Sequence, residues 1–341
     1  MIIRSKAPLR LGLAGGGTDV SPYSDLYGGA ILNATISLYA YTTIVPREDG
    51  KIVFRLEDRN ETYIYDAVAE LPINGEIDLL KAIYNRIVKD FHHKPLSFEI
   101  STFVDAPAGS GLGTSSTLVV SILGAFAEWL SLPLGEYDLA YLAYSIERED
   151  MAMAGGKQDQ YAATFGGFNY MEFFEKNKVI INPLRIKDKI INELSQNIVL
   201  YYTETSRESS NIIKEQQKNV KEQNTRSIEA MHRLKEQAIL MKEALLKENL
   251  DEIGRILHWS WQYKKQMANG ISTHFFEELY EAGIAAGAIG GKISGAGGGG
   301  FIFFYCPGIT RYHVEKTLAQ FGGRIKRYEF THEGLKTWTI R

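Results

Sequence analysis

The chain has 341 residues and a mass of 38.3 kDa, about twice the usual single-domain length, so two domains or one bilobed unit with a well-buried core are expected. Hydrophobic residues make up 45% and charged residues 23%, and 38 Lys plus Arg against 41 Asp plus Glu leave a net charge of −3, a balance that argues against a nucleic-acid partner or a polybasic membrane surface. The one cysteine, Cys306, has no partner for an intrachain disulfide or a Cys-based zinc cage, as expected of a cytoplasmic protein.

The first ten residues carry spread charges and lack the apolar run and cleavage site of a signal peptide, which again predicts a cytoplasmic location. Residues 30 to 66 alternate apolar and polar positions and are rich in β-branched and aromatic types, the period-two signal of strands. Helical periodicity follows over Asp78 to Phe91, Ser115 to Leu130 and Tyr137 to Met151, with a strand at Leu96 to Ser101 between the first two. The most apolar piece, Leu118 to Leu130, contains Ser121 and Glu128 and is too short to cross a bilayer. Strands are predicted again at Phe168 to Phe174 and Ile198 to Thr203. Residues 207 to 268 then become charged and helical, with Ile228, Met231, Leu234, Ala238, Met241 and Leu245 recurring every three or four positions; the mixed charges at i, i+4 read as a solvated helix face. Nine of the 32 glycines fall between Gly283 and Gly300, and Phe301 to Tyr305 reads as a strand. The change of texture places a boundary near residue 190, giving lobes 1–190 and 191–341 and an α+β fold.

Three glycine clusters carry the chemistry. The segment Pro107-Ala108-Gly109-Ser110-Gly111-Leu112-Gly113-Thr114-Ser115-Ser116 runs straight into an apolar helix. Its glycines let the backbone turn amides to one point, and the helix adds unpaired N–H groups and the positive end of its dipole, which together cradle phosphate. No G-K-[ST] follows, so it is not a Walker A loop. The run Ser294-Gly295-Ala296-Gly297-Gly298-Gly299-Gly300 matches G-x-G-x-x-G, but it is expected to leave a helix-like segment and enter a strand, the reverse of a dinucleotide fingerprint. In Pro8-Leu9-Arg10-Leu11-Gly12-Leu13-Ala14-Gly15-Gly16-Gly17-Thr18-Asp19, a charge at Arg10 inside an apolar strand demands an anionic partner, and Asp19 follows three glycines.

In order and position these segments resemble the three motifs of the GHMP small-molecule kinases, over nearly the whole chain. The P-x-G-x-G-L-G-[ST]-S loop is the specific part, and within the family L-R-L-G-L-A-G-G-G-T-D, G-G-K-Q-D-Q-Y-A-A and K-I-S-G-A-G-G-G-G-F are most similar to the heptose 7-phosphate kinase branch. The resemblance implies a GHMP fold with its site between two lobes, ATP and Mg²⁺ as cofactors, and phosphorylation of the anomeric hydroxyl of D-glycero-D-manno-heptose 7-phosphate on the way to nucleotide-heptose for a bacterial surface glycan. It places Asp159 as the catalytic aspartate and Arg10 beside it, Ser115 and Glu147 as magnesium ligands, and the whole loop Pro107, Gly109, Ser110, Gly111, Leu112, Gly113, Thr114, Ser115 and Ser116 on the nucleotide. Asp19 falls on the sugar-binding aspartate of galactokinase-like members, whose Glu-His pair becomes Gly16-Gly17 here, disfavouring galactose. Thr18, Gly297 and Gly298 complete the expected substrate contacts. For the distal phosphate Arg207 is the first candidate, with Lys157 and Lys292 as alternatives. The expected partners are a small-molecule sugar phosphate and ATP, with no nucleic acid, no membrane, and a homodimer as the only protein assembly considered. A fucokinase-type sugar 1-kinase is the runner-up, a non-enzymatic sugar or nucleotide sensor on the same fold the rival from another class, and a dehydrogenase a distant third.

Overall fold

The alternating segment after residue 30 becomes the middle of a large sheet. The computed structural model describes residues 1–205 and 209–341. Its strands are β1 (Ile2–Ala14), β2 (Gly29–Pro46), β3 (Lys51–Leu56), β4 (Glu61–Asp66), β5 (Phe98–Val104), β6 (Phe168–Phe173), β7 (Val179–Pro183), β8 (Ile198–Tyr202), β9 (Gly290–Ile293), β10 (Phe301–Tyr305), β11 (Arg324–Ile325) and β12 (Lys336–Ile340). Its helices are α1 (Tyr23–Tyr27), α2 (Asp78–Ile87), α3 (Thr114–Leu130), α4 (Glu136–Ser145), α5 (Gln158–Phe165), α6 (Asp188–Asn197), α7 (Ser209–Lys221), α8 (Thr225–Leu246), α9 (Leu250–Lys264), α10 (His274–Ala285) and α11 (Arg311–Leu318).

Eight strands form the first sheet in the order β12-β1-β2-β5-β3-β4, with β6 also on β2 and β7 beyond it. Strand β2 serves two neighbours because of its length: Ala40–Pro46 pair with β5 and Gly29–Ala34 with β6. The second sheet, β11-β8-β10-β9, is antiparallel, and every residue of β10 is buried. Phe54, Phe98 and Ile100 of the first sheet pack on Ile83 of α2 and on Leu123 and Phe126 of α3, with Phe98 and Phe126 edge to face at 5.3 Å. A second core joins the sheets: Leu9, Leu11 and Leu13 of β1 meet Leu200, Phe303, Met241 and Leu257. The end of β1 therefore emerges from a packed floor shared by both sheets.

The charged helical region is α7, α8 and α9, and pairs such as Arg233–Glu229 (3.1 Å) and Lys247–Glu243 (2.8 Å) lie on an exposed face, as their spacing predicts. Three expectations need adjustment. The helix expected over Tyr137 to Met151 is α-helical only to Ser145 and continues as a wider π-helical turn, Ile146–Asp150. The second glycine run does not leave a helix-like segment, because β9 stands between α10 and the loop, which therefore joins two antiparallel strands. Gly290 hides that strand from a propensity reading; a Cβ there would lie 1.9 Å from the Gly254 carbonyl of α9, so the helix sits directly on strand backbone. Lastly, a cut at residue 190 assigns β12 to the second lobe, whereas it pairs with β1 from Ile2↔Ile340 to Lys6↔Lys336.

Candidate active site

The loop 107–113 delivers the chain to α3 through three glycines at positive φ, Gly109 (72°), Gly111 (86°) and Gly113 (79°). Gly113 is the N-cap of α3 and no side chain caps the helix, so Ser115 is a first-turn residue rather than the cap, and the first amides remain open to an anion. The loop is backed by the second glycine run at backbone distance: a Cβ on Gly111 would lie 2.5 Å from the Ser294 carbonyl, and one on Gly300 would lie 2.2 Å from that of Ser110. Ser294 Oγ donates to Gly111 O at 2.8 Å, and Phe301 N to Ser110 O at 2.9 Å. The second glycine run thus holds the phosphate loop in place, which is why both are glycine-rich.

Arg10 points from β1 into the cleft and is 4% exposed. Its Nε and Nη2 both lie 2.7 Å from Asp159 Oδ1, and its Nη1 donates to Gly111 O at 2.6 Å. One guanidinium therefore ties the phosphate loop to the carboxylate that the sequence places at the start of α5. Asp19 sits at the same end of that helix. Its Oδ2 accepts from Lys157 N (2.8 Å) and Gln158 N (3.0 Å), capping α5 from a distant part of the chain, while Oδ1 is buried with no hydrogen-bond partner among the described residues. Burial pushes the Asp19 carboxyl above the ordinary range, against the two amides that favour its ionised form. Gly156 is required here, since a Cβ would fall 1.9 Å from Asp19 Oδ2.

Glu147 stands in the π-helical turn after α4, where such turns commonly redirect a functional side chain. It is buried, and burial raises its pKa. Ser116, not Ser115, donates to Glu147 Oε1 (3.0 Å), and Gln160 donates to the other oxygen. Adjacent residues diverge by about 100° around a helix, so Ser116 turns to the buried Glu147 while Ser115 is exposed, and both border the cleft with the buried Thr114.

The cleft, about 650 Å³, is lined by Arg10, Gly16, Gly17, Asp19, Gly109, Gly111, Gly113, Thr114, Ser115, Ser116, Glu147 and Asp159 among the expected residues. Others lie elsewhere. Thr18 Oγ1 is turned to the Gly15 and Ala30 carbonyls (2.8 and 3.0 Å). Gly297 and Gly298 pack on Ile271, and it is Gly295 and Ala296 that face the cleft. Leu112 belongs to the core joining the sheets, Ser110 is buried behind the loop, and Pro107 is exposed outside the lining. Lys157 extends toward Asp25 (3.6 Å) and Tyr144, away from the lining, whereas Lys292 does line the cleft. Arg207 lies outside the described residues.

Lining residues that sequence reasoning passed over are Arg148, Gln158, Gln216 and Lys264. Lys264 had a signal: Ile253, Leu257 and Trp261 are the buried stripe of α9, and Lys264 is its next position. Burial lowers its pKa to about 8. In chemical terms the cleft offers a loop of amides for phosphates, a cation, an acidic oxygen beside it, and a second acidic oxygen free for a hydroxyl.

Family models agree with this layout. Residues 78–167 match the GHMP kinases N terminal domain and residues 241–321 the GHMP kinases C terminal domain. The chain is 52% identical over 338 residues to D-glycero-alpha-D-manno-heptose 7-phosphate kinase of Campylobacter jejuni subsp. jejuni, covering 99% of each. A crystal structure of a D-glycero-D-manno-heptose 1-phosphate kinase from Bacteriodes thetaiotaomicron superposes with a TM-score of 0.85 at 48% identity, again over 99% of both chains. L-fucokinase/L-fucose-1-P guanylyltransferase of Bacteroides fragilis is 26% identical over 96% of this chain but only 38% of its own length. Matched in both domains and by full-length relatives above 45% identity, the chain belongs to the GHMP kinase family.

Proposed function

We propose that the protein transfers the γ-phosphoryl group of ATP to the anomeric hydroxyl of D-glycero-D-manno-heptose 7-phosphate, giving the 1,7-bisphosphate in the cytoplasm as a precursor of nucleotide-activated heptose. The observation that carries the transfer is the Arg10–Asp159 pair at 2.7 Å, set between the amides of α3 and the free oxygen of Asp19. Asp19 would hold a sugar hydroxyl, Asp159 would orient the acceptor hydroxyl or take its proton, and Arg10 would hold Asp159 in place and offset charge on the moving phosphoryl. The choice of sugar rests on the full-length relative named as a heptose 7-phosphate kinase, and the glycine at 16 supports it by leaving room, since a Cβ there would meet nothing within 4 Å, whereas Gly17 lies against Met267.

The oxygen donors of the cleft fit Mg²⁺. Among the described residues no cluster of three metal-binding side chains exists, and an ion that relies on one carboxylate plus nucleotide phosphates needs none. Glu147 and Ser115 would hold it, and bound there it would neutralise charge on the phosphates. Ser115→Ala and Glu147→Gln are each expected to raise the Mg²⁺ concentration for half-maximal rate by about 10-fold, read by metal titration; unchanged titrations in both variants would reject these ligands.

An ATP-consumption assay over heptose 7-phosphate, heptose 1-phosphate, free heptose, fucose and galactose tests the substrate. The 7-phosphate should give the highest kcat/KM, and equal values for free and phosphorylated heptose would favour a fucokinase-like enzyme. Arg207, just ahead of α7, is proposed to meet the distal phosphate with the first amides of that helix. Arg207→Ala should raise KM for the sugar phosphate by roughly 10- to 100-fold, the loss of a charge-assisted bond worth about 1.5 to 3 kcal/mol, and leave KM for ATP alone.

A further inference from the structure

Two lysines reach the cleft from the second lobe, and the roles given above use neither. Lys264 ends α9 and Lys292 lies on β9; they are 4% and 2% exposed. Among the described residues their ammonium groups bond only to main-chain carbonyls, Lys264 to Gly295 O and Lys292 to Leu13 O at 3.4 Å, and neither has a carboxylate oxygen within 4.0 Å. A buried ammonium without an anionic partner is costly. The two lysines and Arg10 form a cluster of basic groups in which burial disfavours the charge of each lysine and pushes the pKa of Lys292 well down, with Asp19 the opposing carboxylate near Lys264 among the described residues. Such a cluster is completed by an anion arriving from solution.

The contacts of Lys264 indicate which anion. Gly295, whose carbonyl it holds, packs on Gly111, where an added Cβ would lie 2.6 Å from Gly111 Cα. The Gly111 carbonyl in turn takes Arg10 Nη1, and Arg10 takes Asp159. Lys264 is therefore joined through one chain of contacts to the point where the acceptor oxygen and the γ-phosphorus would meet. Beside Gly16, by contrast, a Cβ would meet nothing within 4 Å, so that part of the cleft is open. We propose that Lys264 is a catalytic cation that contacts the phosphoryl group in transit, on the side facing Arg10, a role that rests on the kinase reading above. In that step the acceptor oxygen forms a bond to the γ-phosphorus. The bond from phosphorus to the bridging oxygen breaks, its electron pair leaves with ADP, and the hydroxyl proton passes to Asp159. Lys264 would stabilise the charge on the three oxygens between the two bonds. Burial that holds its pKa near 8 leaves the ammonium mostly charged at neutral pH and poorly solvated, so its attraction to a phosphoryl oxygen is little screened.

The test compares wild type, Lys264→Met and Lys264→Arg on whichever sugar the wild type phosphorylates, with and without that sugar's own phosphate. Wild-type preference judges the substrate reading, and the variants judge Lys264 separately. Lys264→Met should lower kcat by about 10²- to 10³-fold and by the same factor on both forms of the sugar, while Lys264→Arg should recover part of the rate. The melting temperature of Lys264→Met should stay equal or rise, because a buried charge with no carboxylate partner among the described residues has been removed. Lys264→Gln serves if the methionine variant does not fold. A kcat within about threefold of wild type would overturn the proposal. So would a loss confined to KM of the phosphorylated sugar, which would make Lys264 a reader of the distal phosphate.

Discussion

Asp159→Asn is expected to lower kcat by about 10²- to 10⁴-fold, the range of a positioned acid–base group, with KM for ATP nearly unchanged. The amide has the shape of the carboxylate, so its oxygen can still accept from Arg10 at the present 2.7 Å. What disappears is the charge. The acceptor hydroxyl loses its proton acceptor, and the guanidinium, 4% exposed, is left without an ionised partner. A single-turnover measurement separates the chemical step from binding, and a near-normal rate in it would remove Asp159 from the mechanism. Asp19 lies close enough for its own titration to feel Asp159, so the neutral variant should also make Asp19 ionise more readily, which a pH profile of sugar binding would report as a shift to lower pH.

Gly111→Ala should cut kcat/KM for ATP by about 10²-fold or more, the scale of an ångström-sized misplacement at a reacting centre. Position 111 holds φ at 86°, which an alanine adopts at a cost of about 1 kcal/mol. Space is the larger obstacle. The new Cβ would sit 2.5 Å from Ser294 O and 3.0 Å from its carbonyl carbon, both backbone atoms that cannot rotate away. Separating the two loops would also displace Gly111 O, which receives both Arg10 Nη1 and Ser294 Oγ. Ser294→Ala is the control: it deletes one of these bonds without adding volume and should be far milder, and an equal loss would point to the hydroxyl rather than the apposition.

These residues were legible in the sequence where their type was at odds with their setting. An arginine in the apolar half of a strand, an aspartate after three glycines and a glycine loop entering an apolar helix each require an explanation, and all lie at the cleft. Position within a run was less legible. Ser115 and Ser116, Gly295 and Gly297, and Asp19 and Thr18 are near neighbours in sequence that face different ways, and one strand register or a fraction of a helical turn decides which meets solvent. The sheet and helices were readable wherever period two or 3.6 persisted, from β2 to α3 and through α8. Strand β9 was not, because its glycines answer to the helix lying on them, and β12 was not, because its partner is at the opposite end of the chain. Lys264 was readable from its helical stripe, although no motif contains it.

The pairing of Ile2 with Ile340 across β1 and β12 bears on biosynthesis. Of the strands, β1 leaves the ribosome first and β12 last, so while the strands between them are made the outer edge of β1 has open hydrogen-bonding groups and lacks β12 as its neighbour. Contacts this distant in sequence carry a large loop-closure entropy and form slowly. The nascent chain thus completes its β2, β5 and β6 pairings with one flank exposed, and a chain lacking residues 336–340 would retain the cleft residues but keep a bare edge available to other chains.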